Sequence, residues 1–183
     1  MKIIFTLLLF FASNICLAQN PIEKTFELIN HNRKINGLNS LVWNDKLEKA
    51  AKSHSNWMAQ VGMMVHLRGN KPASLFELQN AEHHPVDRII KAGYYPIEKI
   101  YKFSPNQVNS IENADDFWGE IIAHGKPGGN RSYPYRSDIV VDGWMKSPGH
   151  KAQILKPTIE EMAVALTATP NGDVFWCVVF GKQ

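Results

Sequence analysis

The sequence predicts an α+β fold in which helices come first and an antiparallel hairpin comes last. Three observations carry that expectation. Apolar residues recur at helical spacing in two segments before Gly62. Two β-prone runs, Met162 to Thr169 and Val174 to Phe180, close the chain. Between them stands Pro170-Asn171-Gly172-Asp173, and Asn-Gly between apolar runs is a strong hairpin signal.

Taken in order, Lys2 and the apolar stretch Ile3 to Ala12 lead to small residues around Ala18, the pattern of a secretory signal peptide cut after residue 18. A lipid anchor on Cys16 is the alternative, with Asn14 and Ile15 fitting a lipidation box poorly. The stretch is too short to span a bilayer, which needs about 20 apolar residues. Cleavage removes Cys16 and leaves Cys177 as the single thiol of the domain 19–183, so no intramolecular disulfide can form. Cys177 sits in an apolar run and reads as a small buried hydrophobe.

Ile22, Phe26, Ile29 and Arg33 mark a first helix ending near Asn36, before Gly37. Leu38 to Trp43 is a connector. Asp45 and Glu48 have the form of a capping box for a second helix whose face runs through Leu47, Ala50, Ala51, His54, Trp57, Met58 and Val61 to Gly62. Pro85 to Ala92 is a short third helix stopped by Gly93. Prolines and glycines make residues 94–136 a loop-rich middle, with one short strand at Ile121 to Ala123. Ser137 is placed to cap a fourth helix reaching Met145, which Pro148-Gly149 ends.

The net charge of +3 is mild and its Lys and Arg residues are scattered, so no nucleic-acid partner is indicated. No HExxH, GxSxG, Walker or CxxC pattern occurs, which removes the familiar zinc protease, serine hydrolase, nucleotide and redox readings. Of the seven histidines, His54 falls on the apolar face of the second helix and reads as a hydrogen-bonded core residue. His83 and His84 precede Pro85 in a solvated loop, and His31 and His124 read as structural. His66 and His150 each follow the end of a helix, where a fold can present a side chain to a cleft. Glu120 leads into an apolar strand, so its carboxylate must reach water or face a partner.

Several ordered motifs resemble the CAP superfamily (SCP domain), which includes cysteine-rich secretory, antigen 5 and pathogenesis-related proteins. Asn32-Arg33, Gly37-Leu38, Leu41-x-Trp43, Leu47, Ala51, His54-Ser55, Met58 and His66 are similar to its opening. Arg88-Ile89-x-x-Ala92-Gly93-Tyr94 resembles the RIxxAGY segment of the bacterial branch, and Gly119 to Ala123 resembles its GENIA strand. Gly143 to Leu155 resembles the WMxSPGHRxNIL signature almost throughout. The resemblance covers about residues 22 to 181.

That resemblance implies a three-layer α-β-α sandwich, with a small antiparallel sheet between helices and a cleft lined by two His and two acidic residues. Carried over, these are His66, His150 and Glu120, with Ser147 in place of the second acid. Ile121 replaces the Asn of the strand, and Tyr95 to Trp118 is long enough to form an extra lobe over the cleft. Such a cleft could hold a divalent cation such as zinc weakly, through His66 and His150. Two functional expectations follow. One is a secreted or envelope protein, periplasmic or extracellular, that binds a small molecule, lipid or cell-envelope component. The other is a metal-assisted hydrolase, peptidase or nuclease, with Glu120 as general base. A third reading is that the four residues only tie helices to sheet.

Overall fold

The computed structural model describes residues 20–69, 82–104, 107–110, 114–127 and 135–183. The signal-peptide reading of residues 1–18 lies outside them. Helix α1 (Pro21–Ile35) opens on the side chain of Asn20, whose Oδ1 accepts from the Ile22 amide at 3.0 Å. Thr25, Ile29 and Arg33 recur every fourth residue and are buried. Arg33 donates to the carbonyls of Asn39, Ile154 and Lys156 at 2.8 to 2.9 Å, which ties the end of α1 to a distant segment.

Strand β1 (Val42–Trp43) is a two-residue element inside what the sequence reads as a connector. Helix α2 (Asp45–Val61) follows. Its cap is Asn44, one residue before the expected capping box, with Oδ1 accepting from the Lys46 and Leu47 amides at 2.9 and 3.3 Å. An Asn side chain reaches the free amides of the first turn as well as Asp does. Glu48 is then free to pair with Lys52. Gly62 ends the helix in the left-handed region at φ 68°.

Helix α3 (Pro85–Lys91) is short and starts where Asp87 reaches back to the His84 amide at 2.7 Å. The middle of the chain is less irregular than expected. Strands β2 (Tyr101–Ser104) and β3 (Gln107–Ser110) pair antiparallel. The Tyr101 hydroxyl donates to Asp87 at 2.7 Å and fastens this hairpin to α3.

Strand β4 (Trp118–Gly125) extends the predicted island at both ends. Helix α4 (Ser137–Lys146) has Arg136 at its cap position, and the Ser137 hydroxyl instead donates to the Pro21 carbonyl at 2.8 Å. Pro148 does not terminate structure. It begins α5 (Pro148–Ile154), because proline's missing N–H costs nothing in a first turn. Strands β5 (Glu161–Ala168) and β6 (Val174–Gly181) form the predicted hairpin, with Gly172 at φ 85° in the turn.

The main sheet has the order β1-β5-β6-β4, antiparallel except for β1, which runs parallel to β5. All of β6 is buried because both faces of the sheet are covered. On one face Phe175, Cys177 and Val179 pack with Leu47, Ala51 and Met58 of α2 and with Ile89 of α3. On the other, Trp176, Val178 and Phe180 pack with Ile29 of α1, Val141 and Trp144 of α4 and Ile154 of α5. Helices thus flank the sheet in three layers. Each large side chain buried this way contributes about 1.5 to 3 kcal/mol.

Candidate functional site

Side chains alternate along a strand, so Ile121 and Ala123 of β4 face α1 and α4, while Glu120 and Ile122 face α2 and α3. Glu120 therefore enters the layer between sheet and helices. Its side chain is 1% exposed.

Side chains from α3, the loop after α2, α2 itself and β6 converge on that carboxylate. Arg88 of α3 places Nη2 at 2.7 Å from Oε2 and 2.9 Å from Oε1. His66, in the loop after α2, brings Nδ1 to 2.9 Å from Oε1. His54 of α2 holds Nε2 at 3.6 Å from Oε1, and the Cys177 thiol lies 3.6 Å from Oε2. Burial by itself pushes the Glu120 carboxyl up. The hydrogen bond from His66 and the positive charge of Arg88 outweigh it and hold the group below the usual carboxylate range. An ionised carboxylate only accepts hydrogen bonds, so His66 carries its proton on Nδ1 and leaves Nε2 free.

His54 has the opposite tautomer. Arg68 Nε, which can only donate, sits 2.9 Å from His54 Nδ1, so the proton is on Nε2 and is donated to the Val65 carbonyl at 2.9 Å. Burial pushes the His54 imidazole down to about 4, against a smaller opposing pull from Glu120. The core reading of His54 agrees with this placement. Arg68 also donates to Glu82 at 3.0 Å, and His83 Nδ1 is 2.6 Å from the Arg68 carbonyl, so residues 66–68 are stapled to 82–84.

Glu120 and His66 border a cleft of about 240 Å³ together with Pro85, Asp115, Trp118, Gly119 and Gln153. The His66 side chain is 44% exposed there. His150 is half-buried near the start of α5 and within the electrostatic field of His66, and burial followed by that neighbour lowers its pKa. Ser147 lies at the junction of α4 and α5, and its hydroxyl does not cap α5. Trp118 Nε1 and Gln153 Oε1 are buried without a hydrogen-bond partner among the described residues. The structure thus joins His66 to Glu120 directly and His150 to His66 through space.

Arg88 and Arg68 are the residues that the sequence reading did not single out. A signal existed for Arg88. With Asp87 it is a charge set among Val86, Ile89 and Ile90 in a seven-residue helix, and both are buried, much as Glu120 is on its apolar strand.

The sequence profile of the CAP family, described as the cysteine-rich secretory protein family, matches residues 26–180. The chain belongs to the CAP family. No curated protein matches it in sequence. Among solved structures, this CAP domain is similar to an outer surface protein from Borrelia burgdorferi, at 21% identity and a TM-score of 0.61, covering 90% of this chain and 94% of that one. It is similar to an SCP-domain extracellular protein from Bacillus anthracis, at 17% identity and a TM-score of 0.59, over 89% of this chain and 40% of that one. A cysteine-rich secretory protein from Staphylococcus aureus shares 15% identity with a TM-score of 0.52, over 91% and 41% of the two chains. The chain spans about two fifths of the last two proteins. At these identities the likeness is one of fold, and the neighbours are bacterial. Among the described residues, no helix is long and apolar enough to cross a membrane.

Proposed function

We propose that this CAP-domain protein is exported and binds a polar cell-envelope component or small molecule at the cleft bordered by His66, with Ser147 and His150 near the start of α5 as further contacts beyond its lining and Glu120 as the buried anchor of His66. The observation that carries this reading is the state of Glu120. A general base needs a pKa near the working pH and an oxygen open to water. Glu120 has both oxygens engaged by Arg88 and His66 and a depressed pKa, which suits it to orienting an imidazole. It supports the binding reading over a peptidase or nuclease.

A divalent cation fits this donor set weakly. Among the described residues no group of three His, Cys, Asp or Glu is placed to hold a metal, and Glu120 is occupied. That leaves His66 and His150 as ligands, with water completing the shell, whereas a catalytic zinc has three protein ligands. Bound there, the ion would supply positive charge for an anionic ligand group. The cleft lining also includes Asp115 and Gln153, whose polar side chains favour a polar ligand group over a lipid tail. Export rests on the leader-like residues 1–18 and accords with neighbours described as outer-surface and extracellular proteins.

The test is retention of glycan, peptide and lipid fractions of a bacterial envelope by residues 19–183, compared with the double variant His66→Ala, His150→Ala. Retention of a polar fraction lost in the double variant, with its melting temperature kept, supports the reading. Equal retention by both proteins places binding elsewhere and overturns it.

A further inference from the structure

We infer that Arg88 is a positioning residue that fixes which nitrogen His66 offers to the cleft. This inference rests on the reading of His66 as a cleft ligand and adds the part that sets its geometry.

The guanidinium of Arg88 is buried, with its side chain 1% exposed. Nη2 donates to both Glu120 oxygens and also to the His66 backbone carbonyl at 3.1 Å. Nη1 donates to the Glu82 carbonyl at 3.0 Å and to the His83 carbonyl at 3.4 Å. One planar group therefore grips the backbone of His66 and the carboxylate that its ring addresses. The consequence is geometric. With Oε2 and part of Oε1 taken by Arg88, the remaining capacity of Oε1 faces His66 Nδ1, which selects the Nδ1–H tautomer and turns Nε2 outward.

A lysine would keep the charge but lose this role. Its ammonium is a point charge without the planar fork that spans two oxygens and three carbonyls. A purely architectural Arg88 would lower stability on substitution and leave the His66 ring unaffected. The rest of the molecule supplies a comparison, because Arg33 is also a buried guanidinium that holds backbone carbonyls, yet it lies on the opposite side of the sheet from Glu120.

The experiment reads imidazole ring nitrogens by nitrogen-15 NMR on residues 19–183 at about pH 8, above the ordinary imidazole range. In the unsubstituted protein His66 is expected to show a protonated Nδ1 and a bare Nε2. In Arg88→Lys the two signals should move toward each other as the tautomers mix. In Arg33→Lys the melting temperature should fall while the His66 signals stay where they were. An unchanged His66 pattern in Arg88→Lys overturns the inference, as does an Nε2–H tautomer in the unsubstituted chain. Should Arg88→Lys fail to fold, the unsubstituted protein still decides through its Arg88 Nη protons. Separate, slowly exchanging signals in contact with His66 support the inference, and a single averaged signal overturns it. Zinc added to the same samples keeps the two claims apart. Absence of any zinc response counts against the cation reading, while the tautomer result decides the role of Arg88.

Discussion

Arg88 Nη2 bridges the two oxygens of Glu120 at 2.7 and 2.9 Å, and each side chain is 1% exposed, so a full ion pair is enclosed between sheet and helices. Desolvating two charges costs several kcal/mol, and the geometry has to offset that. The arrangement is therefore sensitive to loss of either partner. Glu120→Leu, which strands the Arg88 cation, is expected to destabilise the domain by about 3 to 5 kcal/mol. The double variant Glu120→Leu, Arg88→Met should recover much of that loss. Urea denaturation of the single and double variants checks the coupling, and strictly additive losses would contradict it.

His54 makes stability depend on pH. Its folded pKa of about 4 lies below the 6.5 of an unfolded imidazole. Between those values the unfolded chain binds a proton that the native chain refuses, so stability rises with pH across this window. This contribution is present above about pH 6.5 and is lost as pH falls toward about 4, by roughly 3 kcal/mol at most. Glu120 acts in the same direction at lower pH, since its depressed pKa loses its stabilising effect as acid protonates it. Chemical denaturation at about pH 7 and about pH 5 should show the fall, and His54→Gln should flatten it.

Two glycines in the sheet give contrasting expectations. A Cβ at Gly119 would strike the Gln153 side-chain oxygen, the end of a flexible chain that can swing away. A Cβ at Gly181 would meet the Tyr94 ring at 2.5 to 2.7 Å, and that ring is held by Glu161. Gly181→Ala should thus cost about 1 to 3 kcal/mol, the usual range for overpacking, and Gly119→Ala less. Gly119→Ala should instead displace Gln153 beside the cleft. Thermal melts of both variants check the order, and a larger loss at Gly119 would contradict it.

Cys177 should be chemically silent. Burial pushes its thiol up, and the neighbouring Glu120 carboxylate adds to the effect, so little thiolate forms. Labelling by a thiol reagent is expected only at the rate of unfolding. Rapid labelling of the native protein would show that the layer between sheet and α2 is open.

Much of this is legible in the sequence, and the reasons differ by element. The helical periods of α1 and α2 and the Asn-Gly turn between β5 and β6 are local signals, so those elements fall where expected. Pro148 is ambiguous because proline both follows one helix and starts another, and only the packing of Ile154 against Ile29 and Trp176 selects a second helix. The β2–β3 hairpin lies among prolines that mask its pairing. The parallel pairing of β1 with β5 depends on a contact between segments far apart in the chain. In the site, His66 and Glu120 are found through family motifs. Arg88 stands in one of those motifs, yet its meaning requires knowing that α3 lies over β4.

The most direct test of the cleft assignment is a calorimetric zinc titration of residues 19–183 at about pH 7.5 and about pH 5.5, repeated on His66→Ala. Weak binding at the higher pH, lost at the lower pH and in His66→Ala, is the predicted result, because two neutral imidazoles hold the ion. No heat at the higher pH, or the same heat in His66→Ala, would contradict the assignment of His66 and His150 as the cleft's ligands.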